Sequence, residues 1–200
     1  MITLYSGTPG SGKSLFAAYV IWARLKAGKR VIGNFAVNYD AFGKYAKKAS
    51  EYYYWIDNSE LTPEMLVTFA KIHHEVGKES QTLIIIDECA VMFNSRDYSR
   101  KDRMKWIVFF QQHRKLGYDV ILIAQNDRMI DRQIRSFIEC EYKYRCVKRY
   151  KTFGALLALI TGGMFVRIQT WYGTRLRIGS EFFLMNRKKA KIYNTFEIFK

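Results

Sequence analysis

The stretch Gly7-Thr8-Pro9-Gly10-Ser11-Gly12-Lys13-Ser14 decides the fold of this 200-residue chain, because it has the form G-x-x-x-x-G-K-[ST]. A short apolar run, Ile2–Tyr5, precedes it and can form a strand. The segment 15–27 follows, with helix-forming composition and no proline. In a strand–loop–helix context this pattern is typical of a phosphate-binding loop. We therefore predict that residues 7–14 bind a nucleoside triphosphate.

The residue types in the loop suit this chemistry. Glycines let the backbone wrap closely around an anion and point successive N–H groups at it. The N-terminus of the following helix adds its partial positive charge at the same point. Lys13 supplies a mobile cation for the β- and γ-phosphates, and the Ser14 hydroxyl can bind the Mg²⁺ that bridges them. The sequence therefore predicts that ATP and Mg²⁺ are the cofactors.

Two carboxylates follow a second apolar run, Thr82–Ile86, which has the pattern of a strand buried on both faces. Asp87 at the end of that strand can hold the Mg²⁺ coordination shell together with Ser14. Glu88 comes one residue later and can act as the base on an attacking water. Because a nucleotide kinase needs no hydrolytic base, the pair favours ATP hydrolysis.

Further candidates follow the next apolar strand. Gln125 and Asn126 end it, where an amide can sense the γ-phosphate or orient the water; a polar strand cap explains them almost as well. Arginines near strand ends suggest an arginine finger, which stabilises transition-state charge from a neighbouring subunit. Our two best candidates for that finger are Arg114 and Arg135, with Arg96 third.

Strands alternate with helices along most of the chain, which predicts an α/β fold with a mainly parallel sheet flanked by helices. Further strands are expected at 30–37, 118–125, 139–150, 165–172 and 181–193, with a short one at 52–56 as one alternative. Further helices are expected at 62–77, 102–116 and 131–137. The alternation stops near Lys151. We therefore expect a P-loop ATPase core over residues 1–150 and a small β-rich appendage over 151–200.

The net charge of +15 is concentrated towards the end of the chain, where residues 139–200 contain 13 basic and 4 acidic residues. Such a basic region can face nucleic acid, an anionic membrane surface or an acidic partner, although a solvated surface is equally expected. The alternating Tyr, Lys and Arg of 142–151 can stack on single-stranded bases, or form a strand with a basic outer face.

Other features exclude several classes of protein. Three cysteines without C-x-x-C spacing indicate neither a disulfide framework nor a zinc site, as in a reducing cytosol. The N-terminus lacks a signal-peptide pattern. The longest uncharged run, Thr152–Val166, is shorter than the roughly 20 residues that span a bilayer. We expect it to be buried or to lie on a surface.

The middle of the chain resembles the filamentous-phage assembly ATPases, also called the zonula occludens toxin (Zot) family. Residues 86–96, Ile-Asp-Glu-Cys-Ala-Val-Met-Phe-Asn-Ser-Arg, are similar to the Asp-Glu-Cys…Phe-Asn…Arg signature of that family. Residues 113–120, followed by Gln125, are similar to its next block, and 131–162 continue the resemblance. With the N-terminal phosphate loop, the resemblance covers nearly the whole chain.

This resemblance implies an ATPase domain on the cytoplasmic face of the bacterial inner membrane, anchored by a membrane helix beyond this region. It implies a role in filamentous-phage export, with phage assembly proteins and single-stranded DNA or a phage nucleoprotein as partners. It also implies an additional-strand type of P-loop fold and a homo-oligomeric ring, in which an arginine finger would act. The alternatives are a soluble DNA-translocating or helicase-like ATPase, and a nucleotide-binding scaffold without catalysis.

Overall fold

The computed structural model describes residues 1–97, 99–149 and 163–193. Eight strands form a single sheet in the order β3-β2-β4-β5-β1-β6-β7-β8. The strands are β1 (Ile2–Ser6), β2 (Arg30–Gly33), β3 (Tyr53–Trp55), β4 (Thr82–Ile86), β5 (Tyr118–Ala124), β6 (Cys140–Cys146), β7 (Met164–Trp171) and β8 (Arg177–Leu184). The first six run parallel to one another. The predicted mainly parallel sheet is confirmed.

Helices cover both faces of this sheet. They are α1 (Lys13–Lys26), α2 (Ala46–Tyr52), α3 (Pro63–His73), α4 (Arg103–Gln112), α5 (Arg132–Arg135) and α6 (Arg187–Ala190). The buried side chains of α1 and α2 share one apolar core with alternate strand residues such as Ile85 and Ile123. Those of α3, α4 and α5 share the other core with residues such as Ile84 and Leu122.

The strand order places β5 between β1, which leads into the phosphate loop, and β4, which ends before Asp87. An extra strand inserted at this position is the additional-strand arrangement that the resemblance implies. Pairing is in register over five residues on each side of β5, for example Leu4 with Leu122 and Ile84 with Val120. The three carboxyl ends consequently meet at one edge of the sheet, which is where ligands bind in open α/β sheets.

The last two strands extend the same sheet with antiparallel pairing, β7 against β6 and β8 against β7. β7 matches its predicted position, but the prediction of a strand over 181–193 is wrong in its bounds. β8 ends at Leu184, and the side chain of Asn186 then accepts hydrogen bonds from the backbone of Lys188 and Lys189, which starts α6. The division of the chain near residue 150 stays a prediction.

One other stretch differs from its prediction, and a second distinguishes between two predicted alternatives. β2 ends at Gly33, four residues early, because the side chain of Asn34 turns to the backbone of Asp87. The basic and aromatic residues of β6 alternate between faces: Tyr144 is buried in the core beside α1, whereas Lys143 is exposed. In the described part of that stretch, a strand with a basic outer face therefore fits better than a base-stacking surface.

The uncharged run Thr152–Val166 falls largely outside the described residues. Within residues 1–97, 99–149 and 163–193, no helix has both the length and the apolar character that a bilayer crossing requires.

Candidate functional site

The carboxyl ends of β1, β4 and β5 open into a cavity of about 560 Å³. Its lining includes the loop 9–14, the acidic pair Asp87 and Glu88, Gln125 at the end of β5, and side chains from the last part of the chain. The last group consists of Phe165, Met185, Ala190 and Tyr193. The residues predicted from the strand–loop–helix pattern and from the two buried strands thus meet at one place.

The phosphate loop depends on its glycines at two positions. Gly7 and Gly12 have φ angles of 143° and 96°, which other residues rarely adopt. A Cβ atom on Gly7 would lie 2.5 Å from the carbonyl oxygen of Tyr144, and one on Gly12 would lie 2.8 Å from the ring of Phe165. Gly12 directly precedes α1, so its conformation sets the direction in which the helix N-terminus points.

The loop is closed on itself by Lys13. Its ammonium group donates hydrogen bonds to the carbonyl oxygens of Gly7, at 2.7 Å, and Thr8, at 3.2 Å. Burial lowers the pKa of Lys13, and the nearby carboxylates of Asp87 and Glu88 oppose that shift. The Gly7 N–H donates to the carbonyl oxygen of Gln125, which ties the loop to β5.

Ser14 and Asp87 form the candidate metal site. The Ser14 hydroxyl donates to Oδ2 of Asp87 at 3.2 Å, and the same oxygen accepts a hydrogen bond of 3.1 Å from the hydroxyl of Tyr193. Burial raises the pKa of Tyr193 to about 12, with the Asp87 carboxylate adding to the shift, so the phenol is a proton donor at neutral pH. The Ser14 hydroxyl and the Asp87 carboxylate present oxygen atoms, the ligands that Mg²⁺ prefers.

The residues present fit a magnesium nucleotide. The Oγ atom of Ser11, whose residue is 1% exposed, has no hydrogen-bond partner within the described part of the chain. A buried polar group of this kind is normally satisfied, and a phosphate oxygen is an acceptor of suitable chemistry. Ser14 and Asp87 supply oxygen ligands for Mg²⁺ at the end of the same loop.

Glu88 has a left-handed backbone conformation, with φ of 47°. Its N–H donates to Oδ1 of Asp87 at 2.9 Å, and its side chain is exposed and lines the cavity. A non-glycine residue in this region costs of order 1–3 kcal/mol, and such residues concentrate at functional sites. The conformation turns the chain out of β4, so the two successive carboxylates both border the cavity.

Asn34 is a functional residue that the sequence reasoning missed. Its side-chain amide accepts from the N–H of Asp87 at 2.7 Å and donates to the Asp87 carbonyl oxygen at 2.8 Å. It also donates to Oδ1 of Asn58 at 2.8 Å. Asn34 follows β2, but the predicted strand ran to residue 37, so the strand-end rule that singled out Gln125 did not reach it. Tyr193 and Phe165 were missed as well, since the sequence around them carries no site pattern.

The remaining predicted residues lie in different places. The exposed Gln125 borders the cavity, but Arg114 and Arg135 do not. Arg114 pairs with Glu139 at the opposite, amino-terminal edge of the sheet. Arg135 ends α5 and is half-buried. A role for either arginine at a neighbouring subunit stays a prediction.

Comparison with known proteins gives a consistent family and fold. The family model described as "Zonular occludens toxin (Zot)" matches residues 1–180. The Gene 1 protein of Enterobacteria phage I2-2 is 30% identical over 166 residues, which cover 81% of this chain but 45% of that protein. The chain thus spans less than half the length of this relative.

Two solved structures have the same fold. The N-terminal domain of zonular occludens toxin from Neisseria meningitidis is 17% identical, with a TM-score of 0.57 and coverage of 96% of this chain and 98% of that one. The genome-packaging NTPase B204 of Sulfolobus turreted icosahedral virus 2, in complex with ATP-gammaS, is 13% identical, with a TM-score of 0.54 and coverage of 92% and 98%. The fold of this chain is that of a P-loop NTPase.

The two bonds from Asn34 to the Asp87 backbone predict a specific loss of stability. In Asn34→Ala, the N–H and C=O of Asp87 both lose their partner, and the free energy of unfolding should fall by about 1–3 kcal/mol. Chemical denaturation of the full chain measures this. Asn58→Ala is the matched control, since it removes only the bond to Asn34, and it should cost clearly less. Equal losses in the two variants would contradict the role given to Asn34.

Proposed function

The chain belongs to the zonular occludens toxin family, and we propose that it is a Mg²⁺-dependent ATPase that drives the assembly and export of filamentous phage. One observation carries the enzymatic part of this proposal. The hydroxyl of Ser14, in the phosphate loop, lies 3.2 Å from the carboxylate of Asp87, and Glu88 borders the same cavity. Phosphate-binding, metal-binding and base groups therefore converge on one edge of the sheet.

ATP binding follows from the loop. Backbone N–H groups of residues 12–14, at the N-terminus of α1, hold the phosphates. The Lys13 ammonium exchanges its bonds to the carbonyl oxygens of Gly7 and Thr8 for bonds to the β- and γ-phosphates. Ser14 and Asp87 hold the Mg²⁺, whose charge neutralises negative charge developing on the phosphates. The packaging NTPase of similar fold is in complex with ATP-gammaS, which supports nucleotide binding by a protein of this fold.

Hydrolysis requires a base and a group that orients water. Glu88 is exposed to the cavity, and its carboxylate accepts a proton from water as that water attacks the γ-phosphate. Gln125 lies at the end of β5, between the strands that carry the loop and the acidic pair, and its amide orients the water. Asn34 acts through Asp87, since it fixes the backbone from which both carboxylates project.

The biological setting is part of the same proposal. Relatives named Gene 1 protein come from phages, among them Enterobacteria phage I2-2 and Enterobacteria phage M13. We place this domain at the cytoplasmic face of the bacterial inner membrane, in a homo-oligomeric ring that works with phage assembly proteins. The exported single-stranded DNA or nucleoprotein and an anionic membrane surface are the further partners, for which the net charge of +15 is suited.

Substitution of Glu88 tests the enzymatic assignment. Glu88→Gln keeps the size of the side chain but removes the base, so ATP turnover should fall by roughly 10²-fold or more. Binding of MgATP should be nearly unchanged, because Glu88 does not belong to the phosphate loop. Phosphate release and isothermal titration calorimetry on the full chain measure the two quantities.

Two comparison variants make this result interpretable. Glu79→Gln changes an exposed glutamate in the turn before β4, at the far edge of the sheet, and should leave turnover at the wild-type rate. Lys13→Ala removes the cation of the loop and should abolish binding itself while the fold persists. Native turnover in Glu88→Gln would show that another residue is the base, and native binding in Lys13→Ala would refute the phosphate-loop assignment.

The ring predicts complementation between two inactive proteins. Arg114→Ala or Arg135→Ala should abolish turnover if that arginine acts on the γ-phosphate of a neighbouring subunit. Mixed with Glu88→Gln, it should regain part of the activity, because some interfaces then combine an intact Glu88 with an intact arginine. ATPase assays on the mixtures, with assembly checked by mass, measure this. Assembly without rescue for either arginine would exclude both as the finger.

A further inference from the structure

The chain after β8 crosses the mouth of the cavity, and residues 185–193 are called the carboxy-terminal strap here. It begins where the Met185 N–H donates to the carbonyl oxygen of Gly163. It continues through α6 and reaches Tyr193. Three of its side chains, those of Met185, Ala190 and Tyr193, line the cavity. The strap and the phosphate loop therefore both border the same cavity.

Contacts with α1 hold the first half of the strap. The Asn186 N–H donates to the hydroxyl of Tyr19 at 2.6 Å, and that hydroxyl donates to the carbonyl oxygen of Leu184 at 3.3 Å. The ammonium group of Lys189 lies 4.5 Å from the ring centroid of Trp22, a cation–π contact. None of these contacts touches the loop or Asp87.

The second half of the strap is held by the segment after β2. Ile192 is fully buried, and its carbonyl oxygen accepts a hydrogen bond of 2.9 Å from the N–H of Asn38. The ring of Tyr193 packs edge-on against Phe35 with centroids 5.2 Å apart. Tyr193 thus reaches Asp87 from an anchored segment. Its hydroxyl bond to the carboxylate joins residues 106 positions apart.

Hydrogen bonds occupy the full accepting capacity of Oδ2 of Asp87, the carboxylate oxygen that contacts Ser14. Oδ1 accepts from the Glu88 N–H, and Oδ2 accepts from both Ser14 and Tyr193. Each carboxylate oxygen offers about two lone-pair sites, so Oδ2 has none left. Ser14 contacts Oδ2 rather than Oδ1, so a Mg²⁺ ion held at Ser14, which would keep several of its waters, would use Oδ2 as a ligand or as the acceptor for a bound water. The phenol of Tyr193 takes that site.

We propose that Tyr193 competes with the magnesium shell for Asp87, so that binding of Mg²⁺ with nucleotide displaces its hydroxyl and releases the end of the strap. This inference rests on the proposed nucleotide site and adds a coupling to it. Coordination at Asp87 would replace the hydrogen bond from Tyr193, and the end of the strap would then respond to whether a magnesium nucleotide is bound. In the reverse direction, fixing the strap against Asp87 lowers the affinity of the site for Mg²⁺.

The test compares two tyrosine variants of the full chain. Tyr193→Phe removes the competing hydroxyl. The Mg²⁺ concentration that gives half-saturation with a non-hydrolysable ATP analogue should therefore fall by roughly tenfold or more, which is the scale of one hydrogen bond to a charged group. Tyr19→Phe is the matched control, because it removes a hydroxyl that holds the strap but lies away from Asp87. It should leave the Mg²⁺ requirement unchanged. Calorimetric titrations over a Mg²⁺ series, and with a chelator, measure both.

A second measurement uses the wild-type protein alone. Hydrogen exchange at the Asn38 amide, which bonds to Ile192, should speed up when Mg²⁺ and the analogue are added together, and not with the analogue and a chelator. An unchanged or raised Mg²⁺ requirement in Tyr193→Phe, or unchanged exchange at Asn38, would overturn the inference. If the wild type still binds the nucleotide in that case, the proposed nucleotide site is retained. Failure of the wild type to bind any nucleotide would remove the proposed function and this inference together.

Discussion

The site depends on one hydrogen bond, from the Ser14 hydroxyl to the Asp87 carboxylate. It joins residues 73 positions apart, the first at the start of α1 and the second just after β4. The strand β1, which leads into the phosphate loop, and β4 are not neighbours, because β5 lies between them. The contact therefore requires three parallel strands in register, a loop that folds back over the strand ends, and a helix that begins directly at Lys13. Each of these elements is specified by local sequence.

Local patterns explain which parts of the site could be predicted from the sequence. The loop is a contiguous motif, and the runs Thr82–Ile86 and Tyr118–Ala124 are apolar enough to indicate buried strands. Since parallel strands end at the same edge, the position of Asp87, Glu88 and Gln125 at the cavity followed from these patterns. The helix start at Thr62 was predictable for the same reason, since its side chain caps Met65 N–H.

Long-range contacts explain what the sequence did not show. Asn34 is recognisable only once β2 is seen to end beside β4, and the early end of β2 itself depends on the bonds from Asn34 to Asp87. Phe165 contacts Gly12 because β7 pairs antiparallel with β6, a register that no short pattern encodes. Its ring also stacks on Phe183 of β8, with centroids 5.4 Å apart, so the end of the chain supports the phosphate loop.

The central claim is that Ser14 and Asp87 hold the metal of a magnesium nucleotide, and a crystal structure with Mn²⁺ and a non-hydrolysable ATP analogue tests it most directly. Mn²⁺ takes the place of Mg²⁺ among oxygen ligands and is located by its anomalous scattering. If Ser14 and Asp87 hold the metal, one strong anomalous peak should mark a Mn²⁺ ion bound to Ser14 Oγ and beside Asp87. The phosphates of the analogue should then be surrounded by residues 7–14. A peak elsewhere in the protein, with the phosphates outside the loop, would contradict it.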